Sequence, residues 1–310
     1  MTDIDPGAKA PASSERVGPE PETPLLAAID PASFDPSSLP RSWTILTPSG
    51  ASRPGAGTAA TRRLLFAWSR RELRSRYRES GFRGLWNLVQ PVTMLVIYSF
   101  VFTQIFGADG GGLPYLSMAW AGIVVWQFVQ QGVQMGMWSF LYEAGTLPKV
   151  WYPRIVIPMT PATAALMDLA VGLVLIVAVA LVQGIRPSMA LIALPLPLLL
   201  IVIWVYGVSL VVAPAAVFIR DLTTIVPLMM RLGFFTSPVM YPVSQVPEQF
   251  RWLFDLNPVS VAITGVRDTM LAGQWPQWQL LFVHIIGATV LLGAGVFYLR
   301  RVEHRLVDAL

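Results

Sequence analysis

Residues 191–219 run for 29 positions without one charged side chain. At about 1.5 Å per residue, a helix of that length exceeds a ~30 Å hydrocarbon core. The pattern recurs. Residues 85–106 and 113–142 are uncharged, 155–183 is interrupted only by Asp168, 222–241 only by Arg231, and 279–299 holds His284 but no formal charge. Six such runs predict an all-α membrane protein of six transmembrane helices. Composition agrees, with 54% apolar and 13% charged residues against about 25% charged in soluble domains.

Orientation follows from the basic residues. With the N-terminus inside, 18 of the 22 Lys and Arg residues fall on the cytoplasmic side, leaving Arg186, Arg251 and Arg267 outside and Arg231 within the membrane. The positive-inside rule therefore selects cytoplasmic N- and C-termini in a cytoplasmic membrane. The isoelectric point near 9.6 and the crowding of Arg before the first run point to anionic lipid headgroups rather than nucleic acid. Cysteine is absent and histidine appears twice, which argues against disulfides, thiol chemistry and most zinc sites.

Three regions follow. Residues 1–60 are rich in Pro, Gly, Ala and Ser and read as a disordered cytoplasmic tail, because too little apolar surface is available to offset ordering entropy. Residues 61–84 interleave Arg with Leu, Phe66, Trp68 and Tyr77, and Phe66, Leu73 and Tyr77 share one helical stripe. They predict an interfacial amphipathic helix. Residues 85–310 form the six-span domain, with Pro91 kinking the first span.

The stretch 218–268 is the least ordinary. After Arg220 and Asp221, a hydrophobic run reaches Tyr241, Pro238 and Pro242 break it, and a polar-aromatic segment returns to Arg267 and Asp268. Non-helical backbone at membrane depth is tolerated only where it is buried in protein or lines water.

Chemistry narrows the function. No G-x-x-x-x-G-K-[ST] is present, so the chain does not cradle nucleotide phosphates in the P-loop manner. Ion coupling needs several intramembrane titratable groups, and Asp168, His284 and Arg231 are the candidates. Active transport would therefore draw its energy from a partner. His284 reads as a hydrogen-bonded packing residue.

YRESGFRGLWNLVQP (77–91), KVWYPR (149–154), RDLTTIVPLMMRLGFFTSPVMYP (220–242) and the following LNPV around Asn257 and Pro258 together resemble the permeases of type-2 ABC exporters. The resemblance covers roughly 61–305 and is nearest the branch that exports O-antigen, teichoic acid or galactan chains. It implies a homodimer with two ATPase subunits, which bind ATP and magnesium, while this chain carries no cofactor and is not itself an enzyme. It also implies a channel for an undecaprenyl-linked polysaccharide, and two short re-entrant extracytoplasmic helices between spans five and six that act as a gate, here 243–273. Docking on the ATPase falls on Glu143, Lys149, Trp151, Tyr152 and Arg154, with Arg220 and Asp221 as a second contact; Glu143, Arg154, Arg220 and Asp221 read equally as boundary charges. The channel candidates are Tyr98, Trp126, Gln127, Gln131, Gln134, Arg231 and Tyr241. Trp120 and Trp138 belong to the same group of rings suited to sugars, and Gln130, with the other three glutamines of its run, should face protein or a pore. Arg231 near mid-depth faces the channel or pairs with Asp168, since an unpaired Arg there costs at least ~2.5 kcal/mol. Competing functions are export of a hydrophobic drug or small glycolipid, and an integral-membrane transferase using Glu248, Asp255 and Asp268.

Overall fold

The computed structural model of the protein describes residues 58–78, positions 93, 97, 100, 101 and 107, and residues 110–144 and 153–309. The 1–57 part of the expected tail, most of the first span with Tyr98, and Lys149, Trp151 and Tyr152 lie outside the described residues. All described elements are helical: α1 (Thr58–Arg78), α2 (Tyr115–Tyr142), α3 (Val156–Val182), α4 (Pro195–Phe218), α5 (Leu222–Thr236), α6 (Glu248–Leu256), α7 (Pro258–Arg267) and α8 (Trp278–Ala309). A 3-10 turn, Met189–Ala193, precedes α4, and a π turn, Asp268–Ala272, extends α7.

Among the described residues three helices are long and apolar enough to cross a membrane: Val156–Val182, Met189–Phe218 and Trp278–Leu306. Their outward surfaces remain apolar, as at Val174, Val182, Val290 and Phe297, which suits lipid rather than water. The other expected spans differ. α2 has the length but carries four glutamines, and α5 has only 15 residues, about 22 Å of rise against a ~30 Å core.

Local chemistry sets the ends. The run 222–241 was expected to be one span, yet its helix stops at Thr236 because Pro238 disfavours helical backbone at the residue before it, and Ser237 is extended (φ −109°, ψ 147°). Conversely, α8 passes beyond the expected 299 through the basic RRVEHR segment, where no proline or glycine interrupts it. α7 starts on Asn257, whose side chain accepts from Val259 N at 3.0 Å, with Pro258 in the first turn.

α2 is the central helix, packing on α3, α4, α7 and α5, while α4 packs on α8 and α1 on α3. The main core joins Phe128, Val133 and Met137 of α2 to Ala165 and Ile176 of α3, Ile201 and Val205 of α4, and Ile263 of α7. Small residues permit close approach, as where Ser209 donates to Gly132 O at 3.2 Å. A second cluster, with Phe140, Ile157, Leu210, Val217 and Leu306, gathers the C-terminal ends of α2, α4 and α8 with the N-terminal end of α3. Consecutive spans therefore alternate in direction.

Ser69 of α1 is buried, with its hydroxyl 3.5 Å from Thr160 O, whereas Phe66 is exposed. α1 thus meets the bundle through Ser69 and points Phe66 away from it.

Candidate functional site

α2 is buried on nearly every side, and its less buried strip carries four glutamines beside Met135 and Leu141. Gln127 is exposed, Gln130, Gln131 and Gln134 are half-buried, and Trp138 and Tyr142 continue the strip with rings stacked 5.8 Å apart. Positions 127, 131, 134 and 138 share one helical face. Amides facing hydrocarbon alone would lack partners, so this face suits protein or a hydrated path.

α5 is fastened along a narrow edge. Val226 is its one buried residue, while Ile225, Leu228, Met229, Leu232 and Phe235 are exposed. Phe234 meets Trp126 edge-on at 5.9 Å, and Gly233 admits that indole: a Cβ there would lie 2.8 Å from its Cη2. Trp126, expected on the channel wall, is instead 5% exposed and wedged beneath α5. Arg231 is exposed, Asp168 is half-buried on α3, and no ion pair joins the two. The expected pairing fails because α5 lies on α2 and α4 rather than beside α3.

After α5 the chain leaves helical geometry, so its carbonyls need outside donors. Three come from distant side chains. Arg267 donates from Nη2 to Val239 O at 2.8 Å, from Nη1 to Tyr241 O at 3.2 Å and from Nε to Met118 O at 3.0 Å. Tyr115 donates to Met240 O at 3.0 Å. Asn257 Nδ2 donates to Ser237 Oγ at 3.0 Å, while Tyr241 returns its own hydroxyl to Phe235 O at 2.7 Å. The turn 237–241 is thereby clasped to the start of α2 and to both ends of α7.

Arg267 was expected to be a charge left outside the membrane; it is 5% exposed. Gly122 makes room for it, since a Cβ there would stand 2.7 Å from Nη2 and 2.2 Å from Val239 O. Burial pulls the guanidinium down to about 9, opposed by Asp268 and the two tyrosines, so it stays charged at neutral pH. The same burial pushes the Asp268 carboxyl up to about 6, opposed by Arg267. A signal for this burial was present: Ser260, Ile263 and Arg267 recur at helical spacing alongside Val259 and Val266.

α6 presents Phe250, Trp252, Leu253 and Leu256 outward, with Glu248 and Arg251 paired at 3.6 Å. Tyr241 is half-buried against Phe254, 6.1 Å between ring centres. At the opposite end of the bundle, Arg154 pairs with Glu303 at 3.7 Å and also donates to the Glu303 backbone oxygen. Glu143 ends α2 half-buried, and Arg220 and Asp221 are exposed at the turn into α5.

A helical bundle with lipid-length helices and apolar outer faces defines an integral membrane protein. The chain belongs to the ABC-2 type transporter family, whose model matches residues 63–271. It is 26% identical over 249 residues to an O-antigen export system permease protein RfbA from Klebsiella pneumoniae, covering 80% of this chain and 95% of that protein. A protein of the same name from Myxococcus xanthus is 26% identical over 246 residues, covering 78% and 94%.

Proposed function

We propose that this chain is the permease subunit of an ABC transporter that exports a lipid-linked polysaccharide across the cytoplasmic membrane. The carrying observation is the alignment over nearly the whole length of relatives named O-antigen export permeases. The exposed Gln127 and half-buried Gln134 of α2 support the reading, because sugar hydroxyls would hydrogen-bond amides where lipid cannot. In this reading the chain has six spans with both termini inside, works as a homodimer, and is driven by two copies of a separate subunit that binds ATP and magnesium.

Gln127, Gln131, Gln134, Arg231 and Tyr241 then belong to the path, with Tyr98 on the first span. Glu143, Lys149, Trp151, Tyr152, Arg220 and Asp221 face the ATPase. Arg154, held by Glu303, stiffens that face rather than offering a free charge. The re-entrant pair α6–α7 closes the outer end.

Depletion of the chain in its native cell tests this. Surface polysaccharide is expected to disappear while its lipid-linked precursor accumulates inside, and the tagged chain is expected to copurify with a P-loop ATPase. Unchanged surface polysaccharide on depletion would refute the proposal.

A further inference from the structure

Between α6, α7 and the start of α8 lies a cleft with room of about 90 Å³. Its wall is acceptor-rich, with Asp255, Asp268, Ser260, Thr264 and Gln277, over an apolar floor that includes Leu281. Ser260 is 1% exposed, and its hydroxyl is the single buried side-chain polar atom lacking a hydrogen-bond partner among the described residues. A buried hydroxyl left unpaired is destabilising, and a ligand seated here would relieve it. Neither carboxylate in the wall accepts a hydrogen bond from a described residue, and Arg267, the charge that acts on Asp268, donates to three carbonyls.

We infer that this cleft is a saccharide subsite that takes the edge of a neutral sugar ring, its hydroxyls donating to Asp268 and Asp255 and pairing with Ser260 and Thr264. This rests on the polysaccharide-export reading and extends it to a specific place beside the outer turn. At about 10–15 Å³ of such room per water, the cleft holds several waters, enough for the edge of a ring. Two carboxylates exclude an anionic sugar by like-charge repulsion. Phe254 at the mouth offers a ring for the apolar face of the part left outside.

The full-length chain in nanodiscs is probed by saturation-transfer NMR with methyl glucoside, methyl mannoside, methyl galactoside and methyl glucuronide. At least one neutral glycoside is expected to bind, the glucuronide is not, and Asp268→Asn is expected to weaken binding about tenfold, as loss of one charge-assisted hydrogen bond does. Ser260→Ala, which removes only an unpartnered oxygen, should keep the fold and weaken binding as well. Absence of binding to the parent, binding unaltered by both variants, or preference for the glucuronide overturns the subsite. Depletion separates the two proposals: glycan export that stops on depletion, with glycoside binding indifferent to these variants, removes the subsite and leaves the exporter standing.

Discussion

Replacing Arg267 with Met tests the clasp at the end of α5. Methionine has similar reach and no donor, so the variant removes all three hydrogen bonds while largely keeping volume. Met118 O lies within a helix, but Val239 O and Tyr241 O belong to non-helical backbone that depends on this guanidinium. Leaving each carbonyl buried and unpaired costs about 1–3 kcal/mol, hence roughly 2–6 kcal/mol for the pair. Removing the buried charge refunds several kcal/mol of desolvation, so global stability changes less than that figure. The turn relieves its own cost by opening to other donors. Even 2 kcal/mol corresponds to about 30-fold more frequent opening. Hydrogen-exchange mass spectrometry in nanodiscs reads this directly: peptides containing residues 237–241 should exchange about 30-fold faster in Arg267→Met, with the second half of α8 unchanged. Arg267→Lys keeps the charge but not the planar fork and should fall between. Parent-like protection of the turn in Arg267→Met would refute the clasp.

Gly122→Ala should reproduce much of that opening, because its Cβ meets the Val239 carbonyl at 2.2 Å; overpacking of about 1–3 kcal/mol is expected as a lower thermal midpoint, and an unchanged midpoint would count against the close approach. Asp268 gives a pH signature. Its carboxyl rises from 3.8 unfolded to about 6 folded, so the native state binds the extra proton, and this stability, complete below about pH 4, is lost as pH rises through about 6. The charged groups around it are Arg267 and, across the cleft, Asp255; Asp268→Asn should flatten that part of a melting-against-pH curve, and an unflattened curve would reassign the effect. Arg231→Leu, at an exposed position, should leave stability within ~0.5 kcal/mol yet reduce export, measured as surface polysaccharide; undiminished export would remove Arg231 from the path.

Local rules were readable wherever they were enforced locally. Pro238 and the extended Ser237 end α5, Asn257 and Pro258 start α7, and the spacing of Gln127, Gln131 and Gln134 predicted one polar face on α2, which the fold leaves less buried than the rest of the helix. What the chain order concealed is settled by contacts far apart in sequence. Arg267 looked like a boundary charge because it ends an apolar patch, yet its acceptors lie 26, 28 and 149 residues away. Trp126 looked like a wall residue because aromatics in spans often are. Its burial depends on Gly233, 107 positions later, lacking a side chain. The Arg231–Asp168 pair failed similarly, since depth along two helices does not say which helices are neighbours.

The clasp also decides how α5 can move. Along its length the helix is held on one side only, by Val226 and by Leu222, Met230 and Phe234 against the core, and its first turn begins at the exposed Arg220 and Asp221. Its far end is different, because Ser237, Val239, Met240 and Tyr241 are each bonded to Asn257, Arg267 or Tyr115. A shift of α5 along its axis would strain the turn, where motion must either break several buried hydrogen bonds or carry α7 along. Since Asn257 and Arg267 sit at opposite ends of α7, the second course moves that helix as a unit. With α7 move Ser260, Thr264 and Asp268, one wall of the cleft, against α8, which supplies the other. A displacement of α5 carried through the clasp would thus change the width of the cleft, whereas in Arg267→Met the same displacement would be absorbed by the opened turn.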